Sequence, residues 1–186
     1  MRPDRSSEPL AAAVEFNARL AARVDVLTRC YRHVAATRMQ GIGLLNPALR
    51  VRAVGFEPVA DEDAALGVLV TPWFMNLVWL PLAEPPAPLP VGVSRWREIG
   101  GQDFEFIGMN EPWGGLGSHE GCSLFSPMFE FVDAAAAEAT AQAVLAQLRP
   151  PQPTVGAPVA SPEPVQVSAS LPARRAFFLG RGSRHA

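Results

Sequence analysis

A chain of 186 residues, 48% of them apolar, has enough material for one cored domain and an appendage. Its net charge of −2 excludes electrostatic capture of nucleic acid or of an anionic membrane, since both need a basic face. The chain contains no lysine, all of its 16 basic residues being arginine, which also excludes phosphate-loop and Schiff-base lysine chemistry.

Cys30 and Cys122 are far apart and neither belongs to a CxxC pair, so a structural zinc or rubredoxin-type iron site is not expected. The opening stretch MRPDRSSEPLAAAVEF carries charges where an export signal needs its apolar core, so no such signal is expected. Cytoplasmic location with free thiols is the corresponding expectation.

Ser7-Glu8-Pro9 predicts a helix start, with a serine cap, an acidic residue for the dipole and proline in the first turn. Leu10, Val14, Asn17, Ala21, Val24, Leu27, Tyr31 and Val34 then recur at helical spacing. Arg19, Arg23, Arg29 and Arg32 fall mostly elsewhere on the wheel, and Gly41-Ile42-Gly43 with Asn46-Pro47 ends the helix.

Strands follow. Arg50–Phe56 and Ala65–Thr71 form a predicted hairpin around the acidic turn Asp61-Glu62-Asp63. Phe74–Leu80 is a third strand, ended by the prolines between Pro81 and Pro90. Val91–Ile99 and Asp103–Met109 flank Gly100-Gly101, where positive φ is cheap, and predict a second hairpin. Trp96 is expected to meet Phe104 and Phe106 on one face of that hairpin as cross-strand pairs. Asn110–Gly121 reads as a glycine-rich loop carrying Trp113, and Cys122–Phe131 as a strand that Pro127 bends or confines to an edge. Asp133 caps an alanine-rich helix through Leu148.

The predicted fold is therefore α+β. Residues 1–149 make a single domain, a mostly antiparallel sheet of about five to six strands packed against an N-terminal and a C-terminal helix. Residues 150–172 are a Pro-rich linker, which as a coil reaches about 25 Å. Residues 173–186 are a basic-aromatic C-terminal tail.

Catalytic candidates are weak. His33, His119 and His185 form no HExxH or HxH pattern, and neither a metal nor a cofactor is expected. His119-Glu120 beside Cys122 suggests a base-activated thiol. Residues three apart on an extended chain face opposite ways, however, so a buried structural cysteine is the better-supported reading. Gly114-Gly115-Leu116-Gly117 lacks the lysine of a phosphate loop and reads as a plain flexible loop. With no GxSxG or paired acid and base, an enzyme is not expected.

The uncharged run Val70–Pro81 holds Trp73, Phe74, Met75 and Trp79. It is too short to span a bilayer and Pro72 interrupts it, so it belongs either to a core or to an adhesive surface. Cys122–Phe129 poses the same choice. One reading buries both segments; the other joins Trp73–Trp79 and Cys122–Phe129 into a groove suited to another chain. The tail's Arg174-Arg175 followed by apolar residues echoes a twin-arginine export pattern at the wrong terminus, and its plain reading is a segment that packs back on the domain.

Three segments taken together resemble the HybE/HupJ family of [NiFe]-hydrogenase assembly chaperones: Val70-Thr71-Pro72-Trp73-Phe74-Met75, Cys122-Ser123-Leu124-Phe125-Ser126-Pro127-Met128 and Arg174-Arg175-Ala176-Phe177-Phe178-Leu179-Gly180-Arg181. Asn46-Pro47 before the first strand also fits. The resemblance implies a small cytoplasmic α+β chaperone without cofactor or turnover. It implies action on a [NiFe]-hydrogenase precursor subunit, large or small, before export by the twin-arginine pathway, with other maturation proteins as further partners. Neither nucleic acid nor membrane insertion is implied. Some relatives carry a rubredoxin module whose four cysteines this chain lacks. On this reading Trp73, Phe74, Met75, Trp79, Cys122, Phe125 and Met128 line the client surface, and Arg174, Arg175 and Phe177 add a second contact or dock on the domain. The competing readings are a thiol-dependent enzyme or redox protein using Cys122, and a permanent structural subunit of a complex.

Overall fold

The computed structural model describes residues 8–149, with side chains from residue 13 onward. Helix α1 (Glu8–Ala36) opens where the sequence places its first turn and ends before Gly41. Its buried stripe runs through Leu20, Leu27, Tyr31 and Val34, at the spacing that keeps one helical face inward. Val14 and Ala21, expected on that stripe, are exposed instead, Val14 at 62%. Phe16, Leu20 and Val24 form the inner face there, packed on Phe56, Ala65 and Leu82, which rotates the stripe away from the predicted one.

Six strands follow: β1 (Arg52–Pro58), β2 (Ala64–Val70), β3 (Met75–Pro81), β4 (Ser94–Ile99), β5 (Gln102–Glu111) and β6 (Gly117–Phe125). Helix α2 (Ala134–Leu148) closes the order, capped by Asp133, whose carboxylate accepts from the Ala136 N–H at 2.8 Å. The sheet order is β1-β2-β3-β6-β5-β4, and every strand pair is antiparallel. The α+β class, the single sheet and the two flanking helices are as the sequence indicates. The linker and tail, residues 150–172 and 173–186, lie outside the described residues.

Strand alternation divides the core in two. Val54, Leu66, Val68, Val70, Met75, Leu77, Trp79, Phe104 and Phe106 face α2, which meets them through Ala137, Ala141, Leu145 and Leu148. Val51, Leu69, Val78 and Leu80 face the other way, against Leu27, Cys30 and Tyr31 of α1. The sheet curls around α2, so its two outer strands approach each other. A Cβ on Gly55 of β1 would stand 2.6 Å from Leu145, and one on Gly100, past the end of β4, 2.5 Å from the Leu148 carbonyl oxygen. Across the same gap Arg97 of β4 reaches Glu62 of the β1–β2 turn at 3.8 Å. Two arginines pin the layers: Arg23 of α1 donates to the carbonyls of Pro81 and Leu116, and Arg149 to Glu57 and to the Gly55 carbonyl at a bulge in β1.

Three expectations are corrected. Trp96 lies opposite Glu105 and shares no face with Phe104 and Phe106, which oppose Arg97 and Arg95; a one-residue offset inverts every side chain. Residues 110–121 are mostly strand, not loop. Left-handed Gly114, Gly115 and Gly117 around one 3-10 turn (Trp113–Gly115) reverse the chain tightly enough for Glu111 to pair with Gly117. Finally, β6 is a central strand. It stops at Phe125, so Pro127, after a cis peptide bond, falls outside the ladder and removes no donor from it.

Candidate protein-binding surface

Three connections converge at one end of the sheet: residues 37–51, 71–74 and 126–133. Buried Asn46 joins them. Its N–H donates to the Pro72 carbonyl at 2.8 Å, and its amide nitrogen donates to the carbonyls of Met128 (3.0 Å) and Phe131 (2.7 Å). Thr71 builds the second connection locally, its hydroxyl accepting from the N–H of Trp73 and Phe74 and donating to the Phe74 carbonyl. Ser126 donates to the Trp73 carbonyl at 3.4 Å, which ties the second connection to the third.

The fold thus brings together the two uncharged segments, with Met75 pairing Phe125 and Leu77 pairing Cys122. It divides their side chains between interior and surface. Met75 and Met128 are fully enclosed, and Trp79 is buried between the Arg97 guanidinium, 3.7 Å from its ring centre, and Phe106. These three were expected on the client surface and belong to the core, because strand pairing turns Met75 and Trp79 toward α2 and Met128 packs with them.

Trp73, Phe74, Phe125 and Cys122 are half-buried. Phe74 packs edge-on against Tyr31 and Trp73, and Phe125 edge-on against Phe131 at 5.2 Å. The open members of the cluster are residues the sequence reading did not select. Phe129 is 57% and Val132 80% exposed on the third connection, and Ile42 and Leu44 are exposed on the first. Phe129 lay at the end of a segment already singled out. Its available signal was its position past Pro127, where strand alternation no longer dictates which way a side chain faces. Arg174, Arg175 and Phe177 lie outside the described residues.

Cys122 and His119 do not form a catalytic pair. His119 is buried on the α1 face, where its Nε2 lies 2.9 Å from the Tyr31 hydroxyl and its Nδ1 3.2 Å from the Gly117 carbonyl. Burial pushes its pKa down and pushes the Tyr31 hydroxyl up. Cys122 faces α2, and burial, then the Glu105 carboxylate, raises its thiol above the ordinary value. Among the described residues no cluster of three His, Cys, Asp or Glu has metal-binding geometry, and no helix is long and apolar enough to cross a membrane. Two open grooves lie away from the apolar end: one between α1 and β1 near Leu20, Thr28 and Phe56, the other between Trp79, Glu84 and Arg97.

The fold and this surface define the class: a small α+β protein with one curled antiparallel sheet that presents apolar side chains from loops at one end. The chain belongs to the family described as [NiFe]-hydrogenase assembly, chaperone, HybE, matched over residues 22–180. It is 43% identical over 171 residues to protein HoxT of Cupriavidus necator, covering 86% of this chain and 89% of that protein. It is 42% identical over 127 residues to the hydrogenase expression/formation protein HupJ of Bradyrhizobium diazoefficiens, covering 68% and 72%. The solution structure of HybE from Escherichia coli shares the fold, with a TM-score of 0.55 at 18% identity, covering 80% of this chain and 91% of that one. The family resemblance read from three short segments is therefore correct, and hydrogenase maturation is the setting in which the chain belongs.

Proposed function

We propose that this chain holds a [NiFe]-hydrogenase subunit precursor in the cytoplasm, before the subunit's export by the twin-arginine pathway, and releases it unchanged. The observation that carries the reading is the cluster at the end of the sheet. Phe129, Val132 and half-buried Trp73 stand on connections that Asn46 fastens together, leaving apolar side chains open on a rigid base. Such a patch suits a protein partner, and modest contact area keeps the hold reversible. Phe74, Phe125 and Cys122 support the patch from below, and Arg174, Arg175 and Phe177 on the tail supply a second, tethered contact with the client.

The test is co-purification of tagged large and small precursor subunits with wild type, Phe129→Ser, Trp73→Ala and Arg174→Ala/Arg175→Ala. The reading expects one subunit to be captured by wild type and lost with Phe129→Ser at unchanged thermal stability. Undiminished capture by folded Phe129→Ser and Trp73→Ala proteins sinks the proposed surface, and no capture by wild type sinks the function.

A further inference from the structure

Helix α1 presents more apolar surface than the sheet covers. A groove of about 560 Å³ runs between α1 and β1, lined by Leu20, Ala21 and Val24 of the helix and by Ala53 and Phe56 of the strand. Ala21 is exposed in it, and Val24, Ala53 and Phe56 are only half-buried. β1 is also an outer strand. Among the described residues it pairs with β2 alone, so its far edge is a ladder without a second partner. An open strand edge beside an apolar groove is the arrangement that takes up an added strand.

The chain itself passes this edge. Helix α2 ends at Arg149, whose backbone is already extended (φ −104°, ψ 136°) and whose guanidinium donates to the Gly55 carbonyl and to Glu57. The residues after Arg149 therefore set out from the second half of β1. Among them, Val165-Gln166-Val167-Ser168-Ala169-Ser170-Leu171 alternates apolar with polar, the period of a strand with one buried face. Pro164 and Pro172 bound this segment, and its 7 residues equal the length of β1. The intervening residues 150–164 span about 20 Å as a coil, which is about the length of β1 itself.

We infer that residues 165–171, which lie outside the described residues, dock in this groove as a seventh strand antiparallel to β1. Val165, Val167, Ala169 and Leu171 then face Leu20, Ala21, Val24 and Phe56, and Gln166, Ser168 and Ser170 face the other way. The sense follows from the exit: the chain leaves α2 beside Glu57, and a strand begun there runs toward Arg52, antiparallel like every other pair in the sheet. The other outer strand, β4, carries Ser94 and Glu98 on its face away from α2 and offers this alternation no apolar trough. The short tether also holds the segment at an effective concentration of about a millimolar, which favours it over a segment of another molecule. Docking so directed hands Arg174, Arg175 and Phe177 out at Arg52, where the connections fastened by Asn46 meet. Their use there as a client contact rests on the function proposed above; the docking does not.

The test is amide hydrogen exchange and nuclear Overhauser contacts in the isotope-labelled full chain, with no client present. The expected result is exchange slowed about tenfold or more at alternate amides of residues 165–171, with cross-strand contacts to β1. Val167→Asp, which sets a charge against the groove, and Ala21→Arg, which fills it from an exposed helix position, should return those amides to the unstructured rate. Ser168→Asp, facing outward, should leave them protected. Unstructured exchange of residues 165–171 in wild type overturns the inference, as does equal loss in Val167→Asp and Ser168→Asp, or contacts to β4 in place of β1. Protection that rises with protein concentration overturns it too, because the groove then holds another molecule's segment. Client capture plays no part in these readouts, so failure of the docking and failure of the proposed function are told apart.

Discussion

Asn46 and Phe131, 85 residues apart in the chain, are joined by a 2.7 Å hydrogen bond from the buried amide to the Phe131 carbonyl. The same nitrogen serves the Met128 carbonyl. Asn46→Ala leaves two carbonyls without that donor, and the expected loss is about 2–3 kcal/mol. Urea unfolding measures it, and hydrogen exchange should show Phe131 and its neighbours opening before the strands do.

Met128 and Phe129 are adjacent yet belong to different regions, one enclosed and one open. Met128→Ala should cost about 2–5 kcal/mol, whereas Phe129→Ala should stay within about 0.5 kcal/mol of wild type. Paired unfolding curves and client pull-downs check the contrast: the first variant loses stability, the second loses partner.

Acid should weaken the fold through His119. Burial lowers its folded pKa beneath the unfolded value of about 6.5, so the unfolded chain takes up a proton that the folded one refuses. The contribution is present above about pH 6.5 and is lost as pH falls toward the folded value. His119→Gln, less stable at neutral pH because it disturbs the Tyr31 hydroxyl contact, should show a flatter stability profile between about pH 7.5 and 5. Urea midpoints across that range decide, and parallel profiles refute it.

Gly100 and Gly101 both adopt positive φ, but only Gly100 lies against the Leu148 carbonyl. Gly101→Ala should cost about 1 kcal/mol from backbone strain. Gly100→Ala should cost clearly more, because a backbone atom has to give way. Equal thermal midpoints for the two variants would argue against the close approach of α2 to the hairpin.

Element type was legible where local chemistry is strong. Asp133 capped its helix as expected, and Gly100-Gly101 turned the second hairpin as expected. What was lost is information that sequence carries only through pairing. The face of Trp96 depends on register, and the centrality of β6 depends on which strands flank it, neither of which a composition window contains. The candidate surface was half legible for the same reason. Both apolar segments were singled out, but alternation sent Met75 and Trp79 inward, and past the end of β6 the chain buries Met128 with them while leaving Phe129 and Val132 open.

β6 pairs with β3 on one side and β5 on the other, so no ladder joins the first three strands to the β4–β5 hairpin without it. Until β6 is available to pair, β3 and β5 therefore each keep an inner edge with unsatisfied main-chain groups. A message truncated between Pro81 and Gly117 yields no smaller working domain, only a fragment with an adhesive border for proteases and aggregates to find.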